Sequence, residues 1–185
     1  MVTTSETTKI LTQPKIQDLH QPSFKRWLKH FCFLPATKRY FDQQDQHAIV
    51  QAVTRAEQGH VGEIQVVIEG HIPAHQAYSQ NTYARAQQLF AELGVWDTEH
   101  NSGVLLYLNL CEQTVEIVID RGIKNLTEQK VWQDICERML TALKQGYYRD
   151  SVVNGVMEIG DVLGKFYEEV QVDKKNEISD SPVIL

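Results

Sequence analysis

Residues 103–122 read GVLLYLNLCEQTVEIVIDRG, and two hydrophobic patterns meet within that stretch. Val104 to Leu108 form an unbroken apolar run, whereas Val115, Ile117 and Ile119 alternate with Thr114, Glu116 and Val118. The first half reads as a strand buried deep in a sheet and the second as a strand beside it. Cys111, Glu112 and Gln113 leave room only for a tight reversal, so the stretch is expected to be a β-hairpin. Asp120-Arg121-Gly122 then closes it with a charge pair and a glycine, for which a plain turn is the commoner explanation.

Working upstream, Ile64 to Glu69 is dense in β-branched residues and bounded by Gly62 and Gly70, the pattern of a central strand. Ile72 to Ala77 read as a crossing loop holding Pro73. Tyr78 to Leu93 read as a helix with Tyr83, Ala86, Leu89, Phe90 and Leu93 on one face and Gly94 as its stop. Strand, helix and strand in that order make a βαβ unit with parallel strands. Before it, Phe41 to Gln58 predict a helix with Ile49, Val50, Val53 and Ala56 turned inward.

Downstream, Thr127 is a candidate N-cap for a helix to about Lys144 carrying Val131, Ile135, Met139, Leu140 and Leu143. Gly146 to Asp150 read as a turn. A last helix from Ser151 brings Val152, Val153, Val156, Ile159, Val162, Leu163 and Phe166 to the core. The pattern is that of an α/β fold with a small mixed β-sheet, a βαβ unit plus a β-hairpin.

A chain of 185 residues suits one hydrophobic core. Residues 1–23, rich in Thr, Ser and Gln, are expected to be disordered or loosely attached, 24–170 to form the domain, and 171–185 to be a flexible tail. The net charge of -6 argues against a sequence-independent grip on nucleic acid. No apolar run approaches the roughly 20 residues that span a bilayer. The N-terminus has no basic start followed by an apolar block, as a secretory signal would. The three cysteines form no CxxC pair, which points to free thiols in a reducing cytoplasm and away from structural zinc.

Phe24, Trp27, Leu28, Phe31 and Leu34 recur at helical spacing, with Lys25, Arg26, Lys29 and His30 between them and Pro35 as the stop. A basic amphipathic helix of this kind most often docks on its own domain. Its other destinations are an anionic membrane surface or a protein partner, with Phe24, Trp27, Leu28 and Phe31 as the contact residues.

The strand directions sort the polar residues into two groups. Glu63, Asn101 and Asp120 fall at one edge of the sheet, joined by Asp97 and Glu99 from the preceding loop, while Glu69, Asn109 and Glu112 fall at the other. The first group supplies hard oxygens of the kind that hold calcium or magnesium, although acidic side chains at loop ends are mostly just solvated. A hydrolase built there would use the ion, Asp120 and a cationic Arg121. No nucleophile elbow or phosphate-cradling glycine loop accompanies them. His71 and His75 are four apart, but Pro73 between them favours exposed loop histidines over zinc ligands. Cys111 falls in the hairpin turn, a position open to solvent exposure, and Cys136 near the inward face of its helix.

Four strings, HVGEIQVVIE (60–69), ELGVWDTEHNSGVLLYLNL (92–110), VEIVIDRGI (115–123) and GYYRDSVVNGVMEIGDVL (146–163), occur in an order that resembles a TPM domain. The resemblance runs from about Phe24 to Tyr167 and is to the cytosolic, signal-less bacterial type. It implies an α/β sandwich, with the small mixed sheet between helices. It also implies relatives among thylakoid lumen proteins tied to photosystem repair, bacterial envelope proteins and an acetylcholine-receptor auxiliary subunit. Acid phosphatase activity and calcium binding are attributed to some of these. His100-Asn101-Ser102-Gly103 stands where many TPM domains have Asp-Asn-Gly, so one carboxylate of the implied cation site is missing. The expectation is a binding or regulatory module that assists membrane or envelope proteins from the cytoplasmic side, peripheral to the inner membrane face. A divalent-metal-dependent phosphatase and a calcium-responsive domain without turnover are the alternatives.

Overall fold

Strands β1 (Glu63–Glu69) and β2 (Gly103–Asn109) run parallel in unbroken register from Glu63 opposite Gly103 to Glu69 opposite Asn109, and every residue of both is buried. The computed structural model describes residues 22–33, 40–166 and 176–185. Most of the expected lead-in, together with Leu34 and Pro35, lies outside the described residues.

Strand β3 (Thr114–Ile119) pairs antiparallel with β2 through the expected reversal, and Gln113 takes a left-handed φ of 56° to make it. The C-terminus departs from expectation. Residues 171–185 read as a polar tail, but Val183–Ile184 form β4, parallel to β1, and Leu185 exchanges backbone hydrogen bonds with Ile68 and Gly70. Three apolar residues suffice there, because the outer edge of β1 offers donors and acceptors that would otherwise stay unpaired. The sheet order is β3-β2-β1-β4.

Side-chain alternation divides the core between the two faces of the sheet. Ile64, Val66 and Ile68 of β1 and Val104, Leu106 and Leu108 of β2 face one cluster, shared with helices α2 (Gln43–Ala56), α6 (Gln129–Lys144) and α7 (Tyr148–Phe166). Val67, Leu105 and Tyr107 face the other, where Ala86 and Leu89 of α4 (Thr82–Glu92) cover them. The α/β sandwich with a mixed sheet between helices is therefore the fold, and apolar runs in β1 and β2 follow from burial on both faces.

Several boundaries shift for local reasons. The expected helix from Tyr78 to Leu93 is two pieces, α3 (Ala74–Ala77) and α4, because Asn81 caps α4 by accepting from the Ala84 N–H at 2.8 Å. Its inward face is turned as well: Tyr83 and Leu93 are exposed, while Thr82, Arg85, Ala86 and Leu89 are buried. Asp120 begins a short helix, α5 (Arg121–Leu126), where a turn was expected. Thr127 ends α5, so Glu128 is the N-cap residue of α6. Helix α7 starts at Tyr148, inside the expected turn.

Helices α2 and α7 approach closely at Gly160, where a Cβ would lie 2.6 Å from the Ala56 carbonyl oxygen. That neighbour is backbone and cannot swing away. Gly160→Ala is expected to destabilise the fold by about 2 kcal/mol through overpacking, seen as a fall of about 6 °C in thermal midpoint for a chain of this size. An unchanged midpoint would mean that the helices separate freely.

Candidate functional site

The two ends of the sheet carry different chemistry. At the start of β1 and β2, Glu63 is 1% exposed and stands opposite Gly103, whose carbonyl accepts from the Asp120 N–H at 3.0 Å. Gly103 is required there, since a Cβ would fall 1.9 Å from the Val95 carbonyl oxygen. Asp120 is also buried. Its Oδ1 accepts from the Arg121 N–H as an N-cap, while Oδ2 has no hydrogen-bond partner among the described residues.

The rest of the expected acidic set stays apart. Asp97, Glu99, His100 and Asn101 are exposed, Asn101 with a left-handed φ of 51°, and the Glu99 N–H donates to Glu177 from the C-terminal segment. The Arg121 side chain is exposed, and its backbone N–H donates to Asp120 Oδ1. Among the described residues, no three carboxylates at this edge bring ligand atoms within 4.8 Å of one another. The residues thus fit the calcium implied by the resemblance only in part: Glu63 and Asp120 are buried at this end of the sheet, whereas Asp97 and Glu99 are exposed.

The opposite end of the sheet holds a connected polar network. Glu69 Oε1 accepts from Arg85 Nε at 3.1 Å and Nη2 at 2.8 Å, and Glu69 Oε2 accepts from the Tyr107 hydroxyl at 2.6 Å. Asn109 Nδ2 donates to that hydroxyl at 2.8 Å, and Asn109 Oδ1 accepts from the Glu112 N–H at 2.8 Å. Burial, with Glu69 beside it, drives the Tyr107 pKa far up, so the phenol remains a donor. Removing one member of such a buried ion pair would leave the other uncompensated, at a cost of about 3–5 kcal/mol. The network is structural, and it fixes the hairpin turn.

Helix α1 (Phe24–Phe31) is fastened to that turn and to the neighbouring crossover. Lys29 Nζ lies 3.1 Å from Glu112 Oε2, the Ser23 N–H donates to the Tyr78 carbonyl at 2.8 Å, and Arg26 Nε donates to the Ala77 carbonyl at 2.6 Å. His30 is fully buried. Its Nδ1 accepts from the Ile72 N–H at 3.1 Å, which leaves the ring proton on Nε2, 3.0 Å from Glu112 Oε1.

The inward residue of α1 is therefore a histidine, and the aromatic stripe points away. Phe24 is 66%, Leu28 45% and Phe31 64% exposed. Trp27, half-buried, stacks on Phe24 and Phe31 with ring centroids 5.2 and 5.3 Å apart. The helix docks on its own domain as expected, but through its polar face, because backbone acceptors and Glu112 engage that face and leave Phe24, Leu28 and Phe31 outside.

His30, Cys111 and Glu112 also place one ligand atom each within 4.8 Å of the others. The hydrogen bonding opposes a metal there. A metal on Nε2 would require a proton on Nδ1, directed at the Ile72 N–H, whereas ligating histidines ordinarily donate their other N–H to an acceptor. Burial pushes the Cys111 thiol up to about 11 and the Cys136 thiol up to about 12, so neither is a thiolate near neutral pH. Cys111 is buried despite its place in the turn. Neither His71 nor His75 joins a cluster of three candidate ligands among the described residues.

Sequence reading did not find Arg85 or His30 as partners. A charged residue between Ala84 and Ala86 was the available signal for the first. For the second there was none, since the contact with Ile72 spans 42 positions.

The profile of the TPM domain matches residues 36–162. The chain belongs to the TPM domain family. The TPM fold here is similar to the NMR structure of the BA42 protein from the psychrophilic bacterium Bizionia argentinensis. That match has a TM-score of 0.69 and 25% identity, covering 78% of this chain and 95% of that one. It also resembles the N-terminal domain of a protein from P. gingivalis in fold, with a TM-score of 0.59, 17% identity, and coverage of 86% and 98%. No curated protein matches by sequence. Among the described residues, no helix of this TPM domain is long and apolar enough to cross a membrane.

Burial lowers the His30 pKa below its ordinary 6.5, opposed by Glu112 and reinforced by His71 and Lys29. A base whose pKa is depressed on folding contributes stability that is complete above its unfolded value and lost as pH falls below it. The docked state of α1 is therefore expected to weaken as pH drops below about 6.5, because a second ring proton would confront the Ile72 N–H. Hydrogen exchange of the Ile72 amide, corrected for intrinsic rate, should rise from pH 7.5 to 5 in the native chain. His30→Gln should flatten that dependence, and an identical pH profile in the variant would exclude the histidine as its source.

Proposed function

We propose that this TPM domain is a non-catalytic binding module whose contact surface is the outer face of α1. The observation that carries the reading is the exposed stack of Phe24, Trp27 and Phe31, with Leu28 beside it, on a helix whose opposite face is fastened by Arg26, Lys29 and His30. Large apolar groups exposed together cost free energy unless something covers them. Fixing the helix in advance reduces the ordering cost of an encounter. In the role we assign it, the module serves membrane or envelope proteins from the cytoplasmic side. The dispersal of the expected acidic side chains among the described residues favours this reading over a metal-dependent phosphatase.

Site-specific photocrosslinking in cells tests it. A benzophenone side chain at Phe31 is expected to give discrete adducts, whereas one at Tyr147, 58% exposed on another part of the surface, is not. Equal labelling from both positions, or neither protein nor lipid adducts from Phe31, would refute α1 as the contact surface.

The buried, unpartnered Asp120 Oδ2 favours a second reading, in which Glu63 and Asp120 hold a calcium ion for regulation. Two carboxylates fall short of the six or more oxygens that calcium takes, so affinity in the millimolar range is expected. Calorimetric titration of the metal-free chain should then give weak saturable binding that Asp120→Asn removes. Binding unaffected by that substitution would place any ion elsewhere.

A further inference from the structure

Helix α1 reads FKRWLKHF and contains no acidic residue, in a chain whose net charge is -6. At 3.6 residues per turn, Phe24, Leu28 and Phe31 fall on one face, Lys25 and Lys29 lie one turn apart along its flank, and Arg26 and His30 fall behind. The contacts agree with that projection. Arg26 and His30 hold the crossover, Lys25 is exposed, and Lys29, 46% exposed, reaches Glu112 with its ammonium group. Tyr78, also 46% exposed, stands beside the helix, its carbonyl accepting from Ser23 and Arg26.

We infer that the Phe24–Phe31 face seats on an anionic lipid surface. This inference rests on the reading of α1 as the contact face and names what that face meets. The choice of lipid follows from charge and shape. Aromatic rings at the apex of a short helix enter the boundary between headgroups and acyl chains, while lysines along the rim remain at the level of anionic headgroups, their stems lying on the apolar boundary. The acidic body of the domain would be repelled by the same surface, so attraction is confined to α1 and the domain is oriented as it arrives. Because the polar face is already occupied by the domain, the helix needs no refolding to expose its apolar side.

Flotation of the full chain with vesicles tests the inference. Partition onto vesicles of equal parts phosphatidylcholine and phosphatidylglycerol is expected to exceed that onto phosphatidylcholine alone by about tenfold, since each cation near an anionic surface contributes about 1 kcal/mol and Lys29 is shared with Glu112. The double variant Phe24→Ser/Phe31→Ser should lose at least about tenfold of the binding to anionic vesicles. Both side chains are mostly exposed, so its thermal midpoint should match the native one. High salt should weaken the binding that remains. Equal partition onto both kinds of vesicle, or a double variant that floats like the native chain, overturns the inference. Absence of flotation together with protein adducts from Phe31 would reject the lipid and keep the contact face. Absence of both would reject the two together.

Discussion

The parallel pairing of β1 with β2 is the constraint on which the rest of the molecule depends. Two parallel strands cannot be joined by a tight turn, so the chain must leave the sheet and return through α3 and α4. Their full burial demands cover on both faces, which α4 gives on one side and α2, α6 and α7 on the other. Once that pair is set, β3 follows by hairpin geometry and β4 by the remaining open edge. The same pairing brings Glu69 beside Asn109 and Glu63 beside Gly103, which defines the two polar ends.

The two ends have been put to different uses. Glu69, Arg85, Tyr107 and Asn109 satisfy one another within the fold, and the backbone of Glu112 is tied to them through Asn109. Such a network adds rigidity where every member has a partner. Its rigidity is passed outward, because the Glu112 carboxylate is then fixed as the counter-charge for Lys29 and the neighbour of His30. Helix α1 is held against the domain by polar contacts rather than by an apolar face. That inversion is what leaves its aromatic residues outside.

At the other end, close backbone packing prevails over side-chain chemistry. Gly103 presses against Val95, Asp120 spends one oxygen capping α5, and the loop carrying Asp97, Glu99 and Asn101 projects into solvent. The exposure of Asp97, Glu99 and Asn101 leaves Glu63 and Asp120 as the buried carboxylates at this end, where a calcium cage would need several more oxygens. In the reading we propose, the exposed aromatic groups of α1 are the working surface.

The identities of β1, β2 and β3, the hairpin and the main helices were determined by the sequence alone, because apolar period and turn residues act over a few positions. The same is true of the polar grouping at strand ends: Glu69, Asn109 and Glu112 were already together once strand direction was known. Tertiary structure decided what local pattern cannot. It turned α4 so that Arg85 reaches Glu69, and recruited Val183–Ile184 to an open edge. It also placed His30, not the aromatic stripe, against the domain. A helical projection gives the two faces of α1 but not which one the domain accepts, and that choice was made by a distant backbone amide at Ile72 and a carboxylate at Glu112, whose positions depend on the whole sheet.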